Sequence, residues 1–418
     1  MKTNETTPIP QGYKASPLGI IPQEWEVKRF KDVGNFLRNN TLPRDKMSES
    51  EGCVQNIHYG DVLVKYREIL KVSKANIPWI VENSKDSPLG DMLQNGDIVI
   101  SDTAEDYTVG KATELMEIDG VSVVAGLHTM PFRPLSDLFS PCFLGYYINS
   151  MAYRFQLYAL IQGIKVCAIS KKAIGGTFLI VPPLAEQRKI AEVLGLWDKA
   201  IEKQSQLIEQ LTMRKRGLMQ QLLTAKRRLP GFSGPWKEVK LGEISKIGTG
   251  NKNNEDKVAN GKYPFFVRSS NIERINSYSY DGEAILIPGE GKIGEIIHYV
   301  NGKFDYHQRV YKISNFSNCL GKYLYYYLMC FFGKQAVNNS VKACVDSLRL
   351  STFTNMKILY PSFEEQTAIA QVLTVADREI ELAQQKLELL RQQKHGLMQQ
   401  LLTGKKRVKN YGDSFKIY

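Results

Sequence analysis

The sequence predicts an α+β protein in which two mixed α/β segments are each followed by a long helix, the two helices pairing as an antiparallel coiled coil. Three observations predict it. The stretch GLMQQLLT stands at Gly217 to Thr224 and again, letter for letter, at Gly396 to Thr403. Around both copies, apolar residues advance by alternating steps of four and three, the seam of a coiled coil. Each helix also follows a stretch that opens on a related Trp motif and then diverges from its counterpart.

Composition bounds the remaining choices. With 418 residues the chain exceeds one ordinary core and suits two or three domains. The hydrophobic fraction is 43%, no run of eighteen apolar residues occurs, and the first thirty residues lack the pattern of a signal peptide. A soluble, cytoplasmic chain with no membrane partner is expected. The six cysteines form no C-x-x-C pair and no His stands at ligand spacing from one, which favours buried free thiols over a metal site or disulfides. A net charge of +12 and a pI near 9.2 suit a polyanionic partner.

In chain order, residues 1–181 form the N-terminal segment and first α/β region. Trp25 opens WEVKRFKDV, GDIVIS (Gly96 to Ser101) reads as a strand entered through a turn, and GYYINSMAYRF reads as a short helix. Residues 182–231 hold the first helix, with a seam of Ile190, Leu194, Trp197, Ile201, Gln204, Ile208, Leu211, Lys215, Leu218 and Leu222. Residues 232–360 repeat the pattern: Trp236 opens WKEVKLGEI, YPFFVRSSNI runs from strand into polar loop, GEAILIP is a strand, and LGKYLYYYLMCFF is a short helix. Within that helix Tyr325, Tyr326 and Tyr327 fit a core better than a base-stacking platform. Residues 361–409 hold the second helix, with Ile369, Leu373, Ala376, Ile380, Ala383, Leu387, Leu390, Lys394, Leu397 and Leu401 in its seam, and residues 410–418 form a tail. Between Trp and helix the first copy is 32 residues longer.

Pro182-Pro183 and Pro361 precede the helix starts, and Ser362 with Glu365 spells a capping box. Parallel pairing would set Lys215 against Lys394 in one layer. Antiparallel pairing instead sets Lys215 near Ala376 and Lys394 near Trp197, with each stem on apolar surface and each ammonium reaching water. The basic triplets Lys226 to Arg228 and Lys405 to Arg407 suit either phosphate binding or the negative end of a helix dipole.

The ordered double occurrence of the Trp opening, of P-[PS]-[LF]-x-EQ and of GLMQQLLT, from about Gly12 to Arg407, resembles the specificity subunit of a type I restriction-modification system. The resemblance implies two target recognition domains, each reading half of a split double-stranded DNA sequence. It further implies that the helices form a spacer docking methyltransferase subunits, with a restriction/translocase subunit as an additional partner. Adenine methylation and cleavage would then use S-adenosylmethionine, ATP and Mg held by those partners, and this chain would bind no cofactor of its own and catalyse nothing. In agreement, no G-x-x-x-x-G-K-[ST] loop and no Asn/Asp-Pro-Pro-aromatic signature occurs. The tail GKKRVKNYGDSFKIY departs from the pattern where a third Trp opening would stand, and it is expected near the N-terminal segment.

Charge and side-chain chemistry nominate contacts. Lys28 to Val181 balances to zero, whereas Lys240 to Tyr360 carries an excess of six cations. Base reading needs paired donors or acceptors on loops: Arg for guanine, Asn or Gln for adenine. The second segment offers Arg268, Ser269 and Asn271 after a strand and His307, Gln308 and Arg309 at another; the first offers His58 and Tyr59 in IHYGD, and His128. His128 and His307 look like matched positions, as do Lys165 to Cys167 and Lys342 to Cys344. Two alternatives compete. Asp281, Glu290 and Lys292 spell the skeleton of a metal-dependent nuclease, although the first segment has no such set and glycines make the stretch a turn. A coiled-coil scaffold without DNA binding explains the helices and leaves the diverged segments unexplained.

Overall fold

A computed structural model describes residues 9–81, 89–291, 294–338, 348–411 and 414–417. The chain divides into two compact units, one of Met1–Lys203 with Glu388–Tyr418 and one of Gln204–Leu387. The long helices, Leu184–Leu222 and Phe363–Leu401, are each continuous, so each unit holds part of both.

The first unit contains β1 (Gly34–Phe36), β2 (Val54–Ile57), β3 (Trp79–Ile80), β4 (Ile98–Ser101), β5 (Ala112–Met116), β6 (Val123–Ala125) and β7 (Thr129–Pro134). β1, β7, β4 and β5 are successive antiparallel neighbours in a five-stranded sheet. β6, β2 and β3 are neighbours in a second sheet, in which β6 and β2 run parallel. The run Ile98 to Ser101 is buried throughout, as a central strand covered on both faces requires.

The second unit contains β8 (Lys246–Thr249), β9 (Tyr263–Phe266), β10 (Ile272–Ile275), β11 (Tyr280–Pro288), β12 (His298–Tyr306) and β13 (Val310–Ser314), in the sheet order β8, β13, β11, β12, β9, β10. One topology underlies both units. β8, β13, β11, β9 and β10 correspond to β1, β7, β4, β2 and β3, and the nine-residue β12 takes the place of both β5 and β6. In the first unit that long strand is broken after Met116, where Glu117 adopts a positive φ of 56°. Much of the extra length of the first segment lies between β2 and β3, which are separated by the helix Tyr59–Val64 and the strand Ile69–Lys71. β9 and β10 are joined by a short loop alone.

Each Trp opening leads into a strand that pairs with the strand feeding the long helix: Glu26–Arg29 with Phe178–Val181, and Lys237–Lys240 with Lys357–Tyr360. The repeated Glu-Gln at each helix start then has two tasks. Gln187 is fully buried, its Oε1 accepting from Ser140 N at 2.9 Å and its Nε2 donating to the Pro182 carbonyl at 2.7 Å; Gln366 does the same with Leu320 N and the Pro361 carbonyl at 2.7 and 3.1 Å. Glu186 receives the Nε and Nη2 of Arg407 at 2.6 and 2.8 Å, and Glu365 receives those of Arg228 at 2.6 and 2.7 Å. The Gln fastens a globular segment to the start of its helix, and the Glu fastens that start to the end of the other helix.

The seam lies inward along both helices. Ile190, Leu194, Ile201, Leu222, Ile369, Leu373 and Leu401 are buried, while Trp197, Ile208, Leu211, Leu218, Ile380, Leu387, Leu390 and Leu397 are half-buried. Antiparallel pairing is visible within each unit. In the first, Lys394 Nζ lies 2.7 Å from Asp198 Oδ1 and 3.1 Å from Glu68 Oε1. In the second, Lys215 Nζ meets Asp377 Oδ1, and Gln204 Nε2 donates to the Ala383 carbonyl at 2.9 Å.

Several local expectations need correction. The seam lysines do not carry their ammonium groups out to water: each is held by a carboxylate one residue beyond the neighbour expected from the seam. The Ser362 hydroxyl accepts from Glu365 N at 3.4 Å, but the Glu365 carboxylate is taken by Arg228, so the cap is one-sided. Arg228 and Arg407 are likewise structural, which removes them from the phosphate-binding candidates. The segment GYYINSMAYRF breaks at Ser150 into Phe143–Asn149 and Met151–Tyr158, whereas its counterpart is one helix, Gly321–Asn338. Tyr326 and Tyr327 are buried in that helix. Cys167 and Cys319 are buried free thiols, but Cys53 is exposed; Lys342 to Cys344 lies outside the described residues. Towards the tail, the Gly404 carbonyl accepts from Tyr13 OH at 2.9 Å, and Val408 packs in the core that holds Ile21 and Trp25.

Candidate nucleic-acid interface

In each unit the nominated residues gather at the carboxyl ends of one pair of parallel strands. In the first, Ile57 of β2 is level with Ala125 of β6, and Gly126 N donates to the Ile57 carbonyl at 2.9 Å. The chain leaves β2 at His58 and Tyr59 and reaches His128 just beyond β6. In the second, Phe266 of β9 is level with Tyr306 of β12, and His307 N donates to the Phe266 carbonyl at 2.9 Å. Here the exits carry Arg268, Ser269 and Asn271 on one side and His307, Gln308 and Arg309 on the other. Gly250 is required beside them, because a Cβ there would collide with the Tyr306 carbonyl.

The first-unit cluster is aromatic. His58 caps the helix Tyr59–Val64, its Nδ1 accepting from Gly60 N at 3.2 Å. Its ring centroid lies 4.5 Å from that of Tyr59, which in turn meets the exposed His128 edge-on at 5.3 Å. His128 takes a φ of 56°, and its Nδ1 is 3.3 Å from both Thr103 Oγ1 and Asp102 Oδ1. Burial holds the His58 imidazole below its usual pKa; Arg44 and His128 act the same way, against the pull of Asp61.

The second-unit cluster is built on charge. Glu290, just past β11, places Oε2 3.2 Å from Arg268 Nη1 and Oε1 3.2 Å from Arg309 Nη1. His307 is buried, and its Nδ1 accepts from Arg309 N at 2.9 Å, so the ring is fixed as the tautomer that can donate from Nε2. Burial, helped by Arg268 and Arg309, pushes its pKa down against the effect of Glu290. Gln308 donates from Nε2 to Asn253 Oδ1 at 2.5 Å, while Ser269 Oγ donates to the Asn271 carbonyl at 3.1 Å. Behind this loop, His298 Nε2 is 3.1 Å from the Ser269 carbonyl and therefore carries the proton. A cavity of about 340 Å³ opens beside Arg268, Ser269, Glu273 and Glu290.

The nuclease reading fails on this geometry. Asp281 lies near the start of β11 and Glu290 beyond its end, roughly 30 Å along an extended chain, too far to share a metal. Lys292 lies outside the described residues. Among the described residues no cluster of His, Cys, Asp or Glu is arranged to hold a metal, and no helix is long and apolar enough to cross a membrane.

Sequence reasoning missed the residues that organise these exits. Glu290 was legible only as a possible metal ligand, although two arginines flank it in space. The other omission lies on the helices, where one carboxylate joins three elements: Tyr146 OH donates to Asp198 Oδ2 and Tyr326 OH to Asp377 Oδ2, both at 2.6 Å, opposite the seam lysines. The signal was present, since Asp198 and Asp377 are repeat-equivalent and face Lys394 and Lys215 once the helices are laid antiparallel.

Comparison with known proteins gives a consistent result. The family described as "Type I restriction modification DNA specificity domain" matches twice, over residues 22–213 and 233–392. The chain is 24% identical over 442 aligned positions to the protein assigned as the MjaX type I restriction enzyme specificity subunit of Methanocaldococcus jannaschii, covering 96% of this chain and 97% of that one. It is 30% identical to the EcoDI specificity subunit of Escherichia coli over 40% of this chain and 37% of that one. Among solved structures, the type I S subunit from M. genitalium superposes with a TM-score of 0.53 at 17% identity, over 90% of this chain and 96% of that one. A chain from a study of type I R-M complex assembly and conformational transition superposes at 0.59 and 18% identity, over 92% and 99%.

Proposed function

The chain belongs to the type I restriction-modification DNA specificity family, and from that premise we propose that its two units each read one half of a bipartite DNA target. It is the sequence-recognition subunit of a type I system, not the catalyst. Adenine methylation and restriction are carried out by partner subunits in the cytoplasm, with S-adenosylmethionine, ATP and Mg bound there. The observation that carries the bipartite reading is the contrast within one repeated topology. The same strand ends recur in both units, yet one end bears His58, Tyr59 and His128 and the other bears Arg268, His307, Gln308 and Arg309.

Docking of methyltransferase subunits is supported by apolar residues that the helices leave exposed: Leu196 and Leu389 in the first unit, and Leu207, Met213, Val375 and Leu382 in the second. Several large apolar residues exposed along the same helices suit a surface that a partner covers.

Coexpression with its methyltransferase partner, followed by methylome sequencing, tests the reading. One motif of two short sequences separated by a fixed unspecified gap, methylated on adenine, is expected. A continuous motif, or methylation without sequence preference, would overturn it.

A further inference from the structure

We infer that Glu290 is a positioning residue that presents Arg268 and Arg309 as a paired reader of guanine, so that the half-site read by the second unit contains guanine. The inference rests on the bipartite reading above. The Glu290 side chain is only 19% exposed; its Oε2 accepts a hydrogen bond from Arg268 Nη1 and its Oε1 forms an ion pair with Arg309 Nη1, both at 3.2 Å. A guanidinium carries five N–H donors in a planar fork. Engaging Nη1 leaves the edge formed by Nη2 and Nε, two parallel donors that match O6 and N7 of guanine. Among the described residues no hydrogen bond occupies that edge on either arginine, and the two side chains are 45% and 60% exposed.

The carboxylate also decides what the arginines prefer. Two unshielded guanidiniums side by side repel each other and are drawn to phosphates, which carry no sequence information. A shared carboxylate cancels one of the two charges and holds both guanidiniums beside it, which shifts the balance from phosphate to base edge. His307 adds a brace without adding charge, because its Nδ1 takes the backbone N–H of Arg309 while the buried ring stays neutral. The cavity beside Arg268 and Glu290 gives the loop a concave face rather than a flat one. The corresponding exit in the first unit offers His58, Tyr59 and His128, none of which supplies an arginine fork, so the inference applies to one half-site only.

The test selects duplexes from a random library with the full chain, at low and moderate salt, for wild type, Glu290→Gln and Arg309→Lys. Wild type is expected to enrich two separated half-sites, one of them containing guanine. Glu290→Gln, which keeps the shape and removes the charge, should leave the other half-site intact and cut the guanine preference by about tenfold or more. Its binding should also depend more steeply on salt, because the cluster gains a net cation. Arg309→Lys should keep the salt dependence and lose guanine preference, since an ammonium has no fork. Unfolding of the second unit at the wild-type urea midpoint, read by peptide-resolved hydrogen exchange, shows that each variant is folded there. Two half-sites without guanine, or a guanine preference that either variant preserves to within about twofold, overturns the inference and leaves bipartite recognition standing. Failure of wild type to enrich two half-sites overturns both.

Discussion

Lys394 and Lys215 occupy the same place in two repeated helices, yet the first is sealed more tightly than the second. Lys394 has a side chain 8% exposed and two carboxylate partners, Asp198 and Glu68, each 23% exposed. Lys215 is 14% exposed and has Asp377, itself 39% exposed. In both places the lysine also lies about 5 Å from a tyrosine ring, Tyr146 or Tyr326. The difference is Glu68, which comes from the stretch between β2 and β3 that the second segment lacks. A diverged segment thus sets the energetic weight of a repeated residue, and repetition of the helices does not make the two mountings equal.

Removing each lysine should expose that inequality. Lys394→Ala leaves two carboxylates facing each other in a partly buried junction, which costs on the order of 3 kcal/mol. Lys215→Ala leaves one carboxylate with substantial access to water and a tyrosine donor still in place, which costs about 1 kcal/mol. Urea titration read by peptide-resolved hydrogen exchange reports each unit separately. Equal losses in the two variants would show that Glu68 contributes nothing to the first junction.

The repeat explains why so much of this scaffold was readable in advance. A heptad seam written twice specifies two helices, and two like-charged seam residues at matching positions specify their direction. What the seam pattern does not contain is the identity of the residue facing each lysine, because Asp198 and Asp377 stand one place off the seam. The strand-end sites were legible as residue types on loops: Arg268 and Arg309 were nominated as donors, and Gln308 as an amide. Their organisation was not, because Glu290 lies 22 residues from Arg268 and 19 from Arg309 in sequence, and only the sheet order brings the three together. Likewise, the helix following His58 is too short to carry a periodic signal.

A second comparison concerns the two arginine clamps at the helix starts. After Arg407→Ala, Glu186 keeps the indole N–H of Trp25, which donates to its Oε2 at 2.9 Å. After Arg228→Ala, the buried Glu365 carboxylate has no such replacement, because the Trp236 indole N–H has no hydrogen-bond partner among the described residues. The second unit should therefore lose more, with a denaturation midpoint shift about twice that in the first, since an orphaned buried acceptor bears its full desolvation cost. The order of the two shifts, measured by urea titration, is the check, and a larger loss for Arg407→Ala would reverse the argument.

The tryptophans themselves make a third comparison. Trp25 is fully buried and its indole N–H satisfies Glu186, so Trp25→Phe removes a hydrogen bond to a charged acceptor as well as some packing. A loss of about 1.5 to 3 kcal/mol is expected for the bond. Arg407, stacked 5.8 Å from the ring and bidentate on the same carboxylate, moderates it toward the lower figure. Trp236 is half-buried and has Arg228 at 5.7 Å from its ring, but its indole N–H is buried with no partner among the described residues. Trp236→Phe deletes that unsatisfied donor, and the relief offsets the smaller ring. The expected outcome is a change within about 0.5 kcal/mol. Thermal unfolding of both variants beside the parent decides it: a Trp236→Phe loss as large as that of Trp25→Phe would mean that the indole N–H of Trp236 is satisfied in solution, and that the two mountings share their hydrogen bonding after all.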